Sequence, residues 1–168
     1  MTILLTMCVI QAKDVNFLGE QLMVKGIHTI TWLLDSNILS EAKRPAPNQH
    51  VMEQLTRFEN ELAIPAPVWH ELRYGWQRMP DSQRKDAIRH YLQDVVGVLP
   101  ILSYDAAAAR IHAELRSHHE QIGETIPFVD GQIAAIAIAH GLTLVTRNTK
   151  DFKKISGLRL TNWFEPSE

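Results

Sequence analysis

Three acidic residues occupy positions from which carboxylate chemistry is possible. Asp35 follows the apolar run 30–34 and is itself followed by Ser36 and Asn37. Ligands of parallel α/β folds bind beyond the carboxyl ends of the strands, so an acid here faces the usual site, although an Asp at a strand end serves equally as a helix cap. Glu71 lies in a helical stretch with Trp69, Leu72 and Trp76 as its apolar stripe, and it projects from a different side. Gly75, four residues on, leaves the ground beside Glu71 open, but a solvated surface glutamate would look the same. Asp130 begins an otherwise apolar helix, where the helix dipole favours a carboxylate for structural reasons alone. A fourth region, Thr146-Arg147-Asn148-Thr149-Lys150-Asp151-Phe152, follows a strand and combines an amide, hydroxyls, a carboxylate and cations, as a polar loop also would. Carboxylates gathered in one place raise each other's pKa unless a cation neutralises them. Oxygen-only donors select hard ions, Mg²⁺ or Mn²⁺.

The elements that must position these groups alternate short apolar runs with longer amphipathic segments, the pattern of an α/β domain with a mainly parallel sheet of four to five short strands. Strands are expected at 30–34, 62–64, 98–102 and 142–146, with a short fifth at an edge over 158–160. Helices are expected over 36–42, around Val51, Leu55 and Phe58, from Pro67 through Trp76, over 81–96, from Asp105 through Leu115, and from Asp130 to Gly141. Asp105 reads as an N-cap rather than a catalyst. The Trp69, Leu72 and Trp76 stripe reads as core-facing.

At 168 residues and 45% hydrophobic, the chain can bury one core and is too short for two ordinary domains. Its one cysteine, Cys8, excludes an intramolecular disulfide framework and fits a reducing, cytoplasmic setting. The run 133–139 is far below the roughly 20 apolar residues that cross a bilayer. The apolar stretch 3–10 lacks both the preceding basic residues and the small-residue cleavage site of an export signal. A net charge of -2 excludes a global basic field, though Arg147, Lys150, Lys153 and Lys154 form a local excess broken only by Asp151. Residues 1–22 precede the first α/β element and read as an extension outside the natural product. Met23 is then the natural start, preceded by Gly19 and Glu20, which a purine-rich ribosome-binding sequence can encode, and 23–168 form a single domain.

All four polar positions in order, a strand-end Asp, a helix Glu, a helix-start Asp and a polar loop after the fourth strand, resemble the PIN-domain family, and more narrowly its VapC and FitB toxins. The residues that carry this are Leu33-Leu34-Asp35-Ser36-Asn37-Ile38-Leu39-Ser40, Pro67-Val68-Trp69-His70-Glu71-Leu72-Arg73-Tyr74-Gly75, Asp130-Gly131-Gln132-Ile133-Ala134-Ala135, and Val145-Thr146-Arg147-Asn148 with Asp151-Phe152. The resemblance spans residue 30 to about 164. It implies a three-layer α/β/α fold and an acidic pocket of Asp35, Glu71 and Asp130. The fourth acid is open between Asn148, which stands where FitB-like members carry Asp, and Asp151, where many VapC members carry Glu or Asp; Asp151 is favoured as the charge. Ser36 replaces the commoner Thr and keeps its hydroxyl.

The resemblance implies the toxin of a type II toxin–antitoxin system, a Mg²⁺-dependent endoribonuclease that hydrolyses phosphodiester bonds with metal-activated water. Asp35 and Asp130 are the expected direct ligands, with Glu71 and Asp151 acting through water or on a second ion. Ser36, Asn37 and Asn148 would support the site, and Arg147, Lys150 and Arg73 are candidates for flanking phosphates, with solvation the ordinary role of each. Transfer or ribosomal RNA, a VapB-like antitoxin that blocks the pocket and a second copy in a homodimer are the implied partners. Two other readings compete: a catalytically silent PIN fold that binds RNA or protein, and an Asp-nucleophile phosphatase, which needs an acid where Asn37 stands. His70-Glu71 does not begin a zinc-protease motif, because Tyr74 occupies the second His position. His112, His118 and His119 read as exposed side chains near a helix end rather than ligands.

Overall fold

A computed structural model describes residues 15–18, 21–24 and 28–165 of the chain. A small antiparallel sheet comes first, made of β1 (Val15–Leu18), β2 (Gln21–Val24) and β3 (His28–Thr29). The sequence pattern, which shows no periodicity ahead of residue 30, gives no sign of these strands. The body that follows is a five-stranded, all-parallel sheet flanked by helices. In chain order its strands are β4 (Trp32–Leu34), β5 (Leu62–Pro65), β6 (Ile101–Leu102), β7 (Thr143–Val145) and β8 (Arg159–Thr161), in the spatial order β6-β5-β4-β7-β8. Cys8 and the stretch 3–10 lie outside the described residues. Among those described, no helix is long and apolar enough to cross a membrane.

The central strands are continuous rather than alternating apolar runs because both faces are covered. Leu33, Leu34, Ile64, Leu144 and Val145 are fully buried. The α-helices among the described residues are α1 (Ser36–Glu41), α2 (Gln49–Arg57), α3 (Ala66–Gln77), α4 (Gln83–Tyr91), α5 (Ala106–Gln121), α6 (Phe128–Ala139) and α7 (Thr149–Phe152). Asn48, Ser82 and Asp105 cap α2, α4 and α5, each side chain accepting a backbone N–H three residues on. Trp69, Leu72 and Trp76 are partly buried and pack on the core, as their spacing implied.

Several boundaries depart from the sequence reading. The helix expected over 81–96 begins at Gln83 and relaxes into a π-helical turn over Leu92–Val96. Helix α5 continues to Gln121, with a face that buries His112 and His119. The expectation that these two histidines are exposed is therefore overturned, while His118 is exposed as expected. They stand seven residues apart on the face turned inward, and a hydrophobicity pattern counts them as polar. Helix α6 begins at Phe128, so Asp130 is its third residue rather than its first. The polar stretch after β7 contains the one-turn helix α7, anchored by the buried ring of Phe152.

Strand order reverses at β4. The chain steps from β4 to β5 and β6 on one side, then returns to β7 and β8 on the other. Such a reversal splays the helices that follow the two adjoining strands and opens a crevice at their carboxyl ends. Asp35 follows β4 and Thr146 follows β7 at that point, with Leu34 in register with Val145.

Candidate active site

Asp35 is 8% exposed and sits at the switch point as the N-cap of α1. Its backbone N–H donates to the Val145 carbonyl (3.1 Å). Its carboxylate accepts from the Ser36 N–H on Oδ1 (2.6 Å), and from Asn37 Nδ2 (2.6 Å) and the Thr146 hydroxyl (2.6 Å) on Oδ2. An ionised carboxylate offers about four acceptor sites, so three are used and Oδ1 keeps room for one more contact. The cap reading of Asp35 holds, and it leaves part of the carboxylate free.

Asn37 and Thr146 clamp the two strand ends together. Asn37 Nδ2 also donates to Thr146 Oγ1 (2.9 Å), and Asn37 Oδ1 accepts from the Arg147 N–H (3.0 Å). Thr146 Oγ1 accepts in addition from the Asn148 N–H (3.0 Å). The buried Thr146 hydroxyl therefore spends its one proton on Asp35 and its two lone pairs on Asn37 and Asn148, so its bonding capacity is full. The sequence placed Thr146 in the fourth polar region but gave it no role of its own. The signal was a hydroxyl ending an apolar strand, which gains meaning only when that strand lies beside the one bearing Asp35.

The other acids approach from three helices. Asp130 is half-buried in the first turn of α6. Its carboxyl is pushed up from 3.8 to about 6, first by burial and then by the negative charges of Asp35, Asp151 and Glu71. The charges of Asp35, Asp151 and Glu71 thus act on Asp130 through space. Glu71 is exposed on α3, and a Cβ added at Gly75 would meet nothing within 4 Å, as the open ground inferred there requires. Asp151 is exposed on α7, where Asn148 Nδ2 donates to its Oδ2 (2.6 Å). Asn148 and Asp151, the two candidates for the fourth position, are therefore joined by one hydrogen bond.

The cations fare differently. Arg147 is exposed and lies over the Phe164 ring (5.1 Å), and Lys150 is exposed on α7. Arg73 packs over Trp76 (4.8 Å) and Trp69 (5.6 Å), so its guanidinium covers the α3 stripe. Lys154 pairs with Glu124 (3.3 Å). Among the described residues none of the four site carboxylates has a Lys or Arg partner within ion-pair distance. Nor do three of them stand close enough to ligate one ion unaided. Uncompensated negative charge on an all-oxygen donor set fits a hard divalent cation that keeps much of its water, the habit of Mg²⁺.

Asp130 also depends on a close helix contact. A Cβ on Gly131 would collide with the His112 ring of α5, reaching Cδ2 at 2.7 Å and Nε2 closer still. His112 Nδ1 bonds the Tyr104 hydroxyl (2.9 Å), and its ring meets Phe128 edge-on at 5.0 Å. Burial, and secondarily Arg116, lowers its pKa and favours the neutral ring.

A parallel sheet whose order reverses beside Asp35 defines the class, an α/β domain with acids near its switch point, and residues 32–158 match the PIN domain model. The chain belongs to the PIN-domain family. It is 37% identical over 134 residues to Ribonuclease VapC2 of Rickettsia felis, covering 79% of this chain and 97% of that one. It is 35% identical over 126 residues to Toxin FitB of Neisseria gonorrhoeae, covering 71% and 89%. The solved structure of VapBC2 from Rickettsia felis, bound to a DNA fragment from their promoter, superposes with a TM-score of 0.70 at 33% identity, covering 80% of this chain and 99% of that one.

Proposed function

We propose that this chain is the toxin of a type II toxin–antitoxin pair and a Mg²⁺-dependent endoribonuclease. The observation that carries the reading is the convergence of Asp35, Glu71, Asp130 and Asp151 without a protein cation, together with the raised Asp130 carboxyl. The names of the ribonuclease and toxin relatives support RNA as substrate and growth arrest as outcome. The VapBC2 complex supports a VapB-like antitoxin as partner. A homodimer remains part of the proposal.

Asp35 and Asp130 are the residues that would hold the ion, Mg²⁺ or Mn²⁺, and Glu71 and Asp151 would act through water or on a second ion. When bound, the ion acidifies water for attack on a phosphodiester and stabilises charge on the phosphate oxygens. The chain's own groups orient and prepare. Ser36, Asn37 and Thr146 fix the Asp35 carboxylate in one rotamer, so no ordering is needed when substrate arrives. Asn148 turns Asp151 toward the crevice. Arg147 and Lys150, exposed beside the acids, suit flanking phosphates.

The test is cleavage of a panel of transfer and ribosomal RNA fragments, with and without divalent ion, by the wild type and by Asp35→Ala and Asp130→Ala. Cleavage that needs the ion and vanishes in both folded variants is expected, in parallel with relief of growth inhibition. Full activity in either variant refutes the mechanism. Binding of RNA without cleavage under every ion condition would favour the silent-module reading.

A further inference from the structure

Helix α1 has the acidic crevice at its first residue, and a second, basic cleft lies at its other end. This cleft of about 560 Å³ is lined by Lys43, Arg44, Arg84 and Tyr91 among others, and among the described residues no carboxylate lines it. Arg44 is tied to the buried Glu41 (3.1 Å), which also accepts the Asn48 N–H (2.9 Å) and so has its charge answered. On α4 the neighbouring cations have acids on or just ahead of their own helix, Lys85 with Asp81 (2.9 Å) and Arg89 with Asp86 (3.3 Å). Lys43 and Arg84 have no such partner among the described residues, and they share the lining of the cleft. The Lys43 ammonium stands over the Tyr91 ring (5.7 Å), and the Tyr91 hydroxyl is fixed by donation to the Leu39 carbonyl (2.9 Å). The cost of this juxtaposition is visible in Lys43, whose pKa is lowered first by loss of water and then by Arg84.

We propose that the Lys43–Arg84 cleft binds a backbone phosphate of the RNA strand, away from the phosphate that is cut. An anion there relieves the repulsion between two cations that the fold itself leaves uncompensated, and a guanidinium fork beside a mobile ammonium suits a phosphate. The six residues of α1 rise roughly 9 Å, and Lys43 stands two residues beyond its end. A nucleic acid carries a phosphate at every residue, so a strand seated at the carboxylates offers a later phosphate to the far end of the same rigid helix. This inference rests on the nuclease reading above and adds a second contact point to it.

Fluorescence anisotropy with single-stranded RNA, on the full chain with divalent ion withheld to prevent cutting, tests the proposal. Lys43→Gln/Arg84→Gln is expected to bind about tenfold more weakly, as removal of one charge-assisted contact does. Its slope of log affinity against log salt should be shallower by about 0.7, the share of a single phosphate. Lys43→Arg, which keeps the charge, should bind as the wild type does. Cleavage of a dinucleotide, too short to span α1, should be unchanged in the presence of Mg²⁺. Both neutral substitutions remove repulsion, so the thermal midpoint should hold or rise. If the double variant keeps wild-type RNA affinity and salt slope, the cleft proposal falls. It falls equally if only binding of a polyglutamate peptide is impaired, which makes the cleft a protein-docking site. A wild type that cuts RNA while the double variant binds normally refutes the cleft alone, whereas a wild type that neither binds nor cuts RNA refutes the nuclease reading as well.

Discussion

Replacing Asp130 by Asn should make the ion-free protein more stable at neutral pH while destroying its activity. The Asp130 carboxyl is raised from 3.8 to about 6 in the folded chain, so folding disfavours its ionised form. About two pKa units correspond to roughly 3 kcal/mol. Asp130 is only half-buried, and screening by water brings this to about 1–2 kcal/mol. The sign follows from proton counting. Between about pH 4 and pH 6 the folded state holds a proton that the unfolded state has lost, so stability falls as pH rises through that window. Below it both states are protonated and the penalty is absent; above about pH 7 both are ionised and it is fully present. The amide introduced by the substitution cannot ionise. Urea unfolding in the presence of a chelator, compared for wild type and Asp130→Asn from about pH 4 to pH 8, isolates this group because other titrations are common to both proteins. The variant's advantage should grow by about 1–2 kcal/mol from about pH 4 to pH 7 and then level off. Adding Mg²⁺ at about pH 7 should stabilise the wild type by mass action and the variant less. A stability difference that is flat with pH, or that grows toward acid, would show that neither burial nor the neighbouring carboxylates raise the Asp130 carboxyl.

Four further outcomes are expected. Asp151→Asn should lower RNA cleavage by about a hundredfold or more, as loss of a charge that serves the transition state does, and Asn148→Ala by less, since it removes only the orienting bond; equal losses would reopen the fourth position. Thr146→Val should destabilise by about 1–3 kcal/mol in chemical denaturation and reduce activity together, because Asp35, Asn37 and the Asn148 N–H each lose a partner. Gly131→Ala should cost about 1–3 kcal/mol through collision with His112, and His112→Ala should relieve most of that in a double-mutant cycle; purely additive effects would rule out the contact as the cause. Removal of residues 1–22, which takes away β1 and the start of β2, should preserve cleavage, and an unfolded truncated chain would make that segment structural.

The sequence alone determined the frame of this protein. Continuous apolar runs at Leu33-Leu34, Ala63-Ile64 and Leu144-Val145 can only be covered on both faces, which dictates a parallel sheet between helices. Caps such as Asp105 are written in local chemistry and appear where expected. Asp35, Glu71 and Asp130 could be named as a set because their order along the strands and helices carries information that none has alone, while the fourth position stayed open between Asn148 and Asp151. Short-range pattern could not show what depends on neighbours remote in the chain. Thr146 becomes part of the site only because β7 lies beside β4, 111 residues away. His112 is buried because Gly131 of another helix leaves room for its ring. The hydrogen bond between Asn148 and Asp151 required a helical turn anchored by Phe152, and the meeting of Lys43 with Arg84 in one cleft required α1 to end near α4. Local propensity fixes elements over a few residues, whereas charge and hydrogen bonding act through space, so the site's electrostatics were settled only by the tertiary fold.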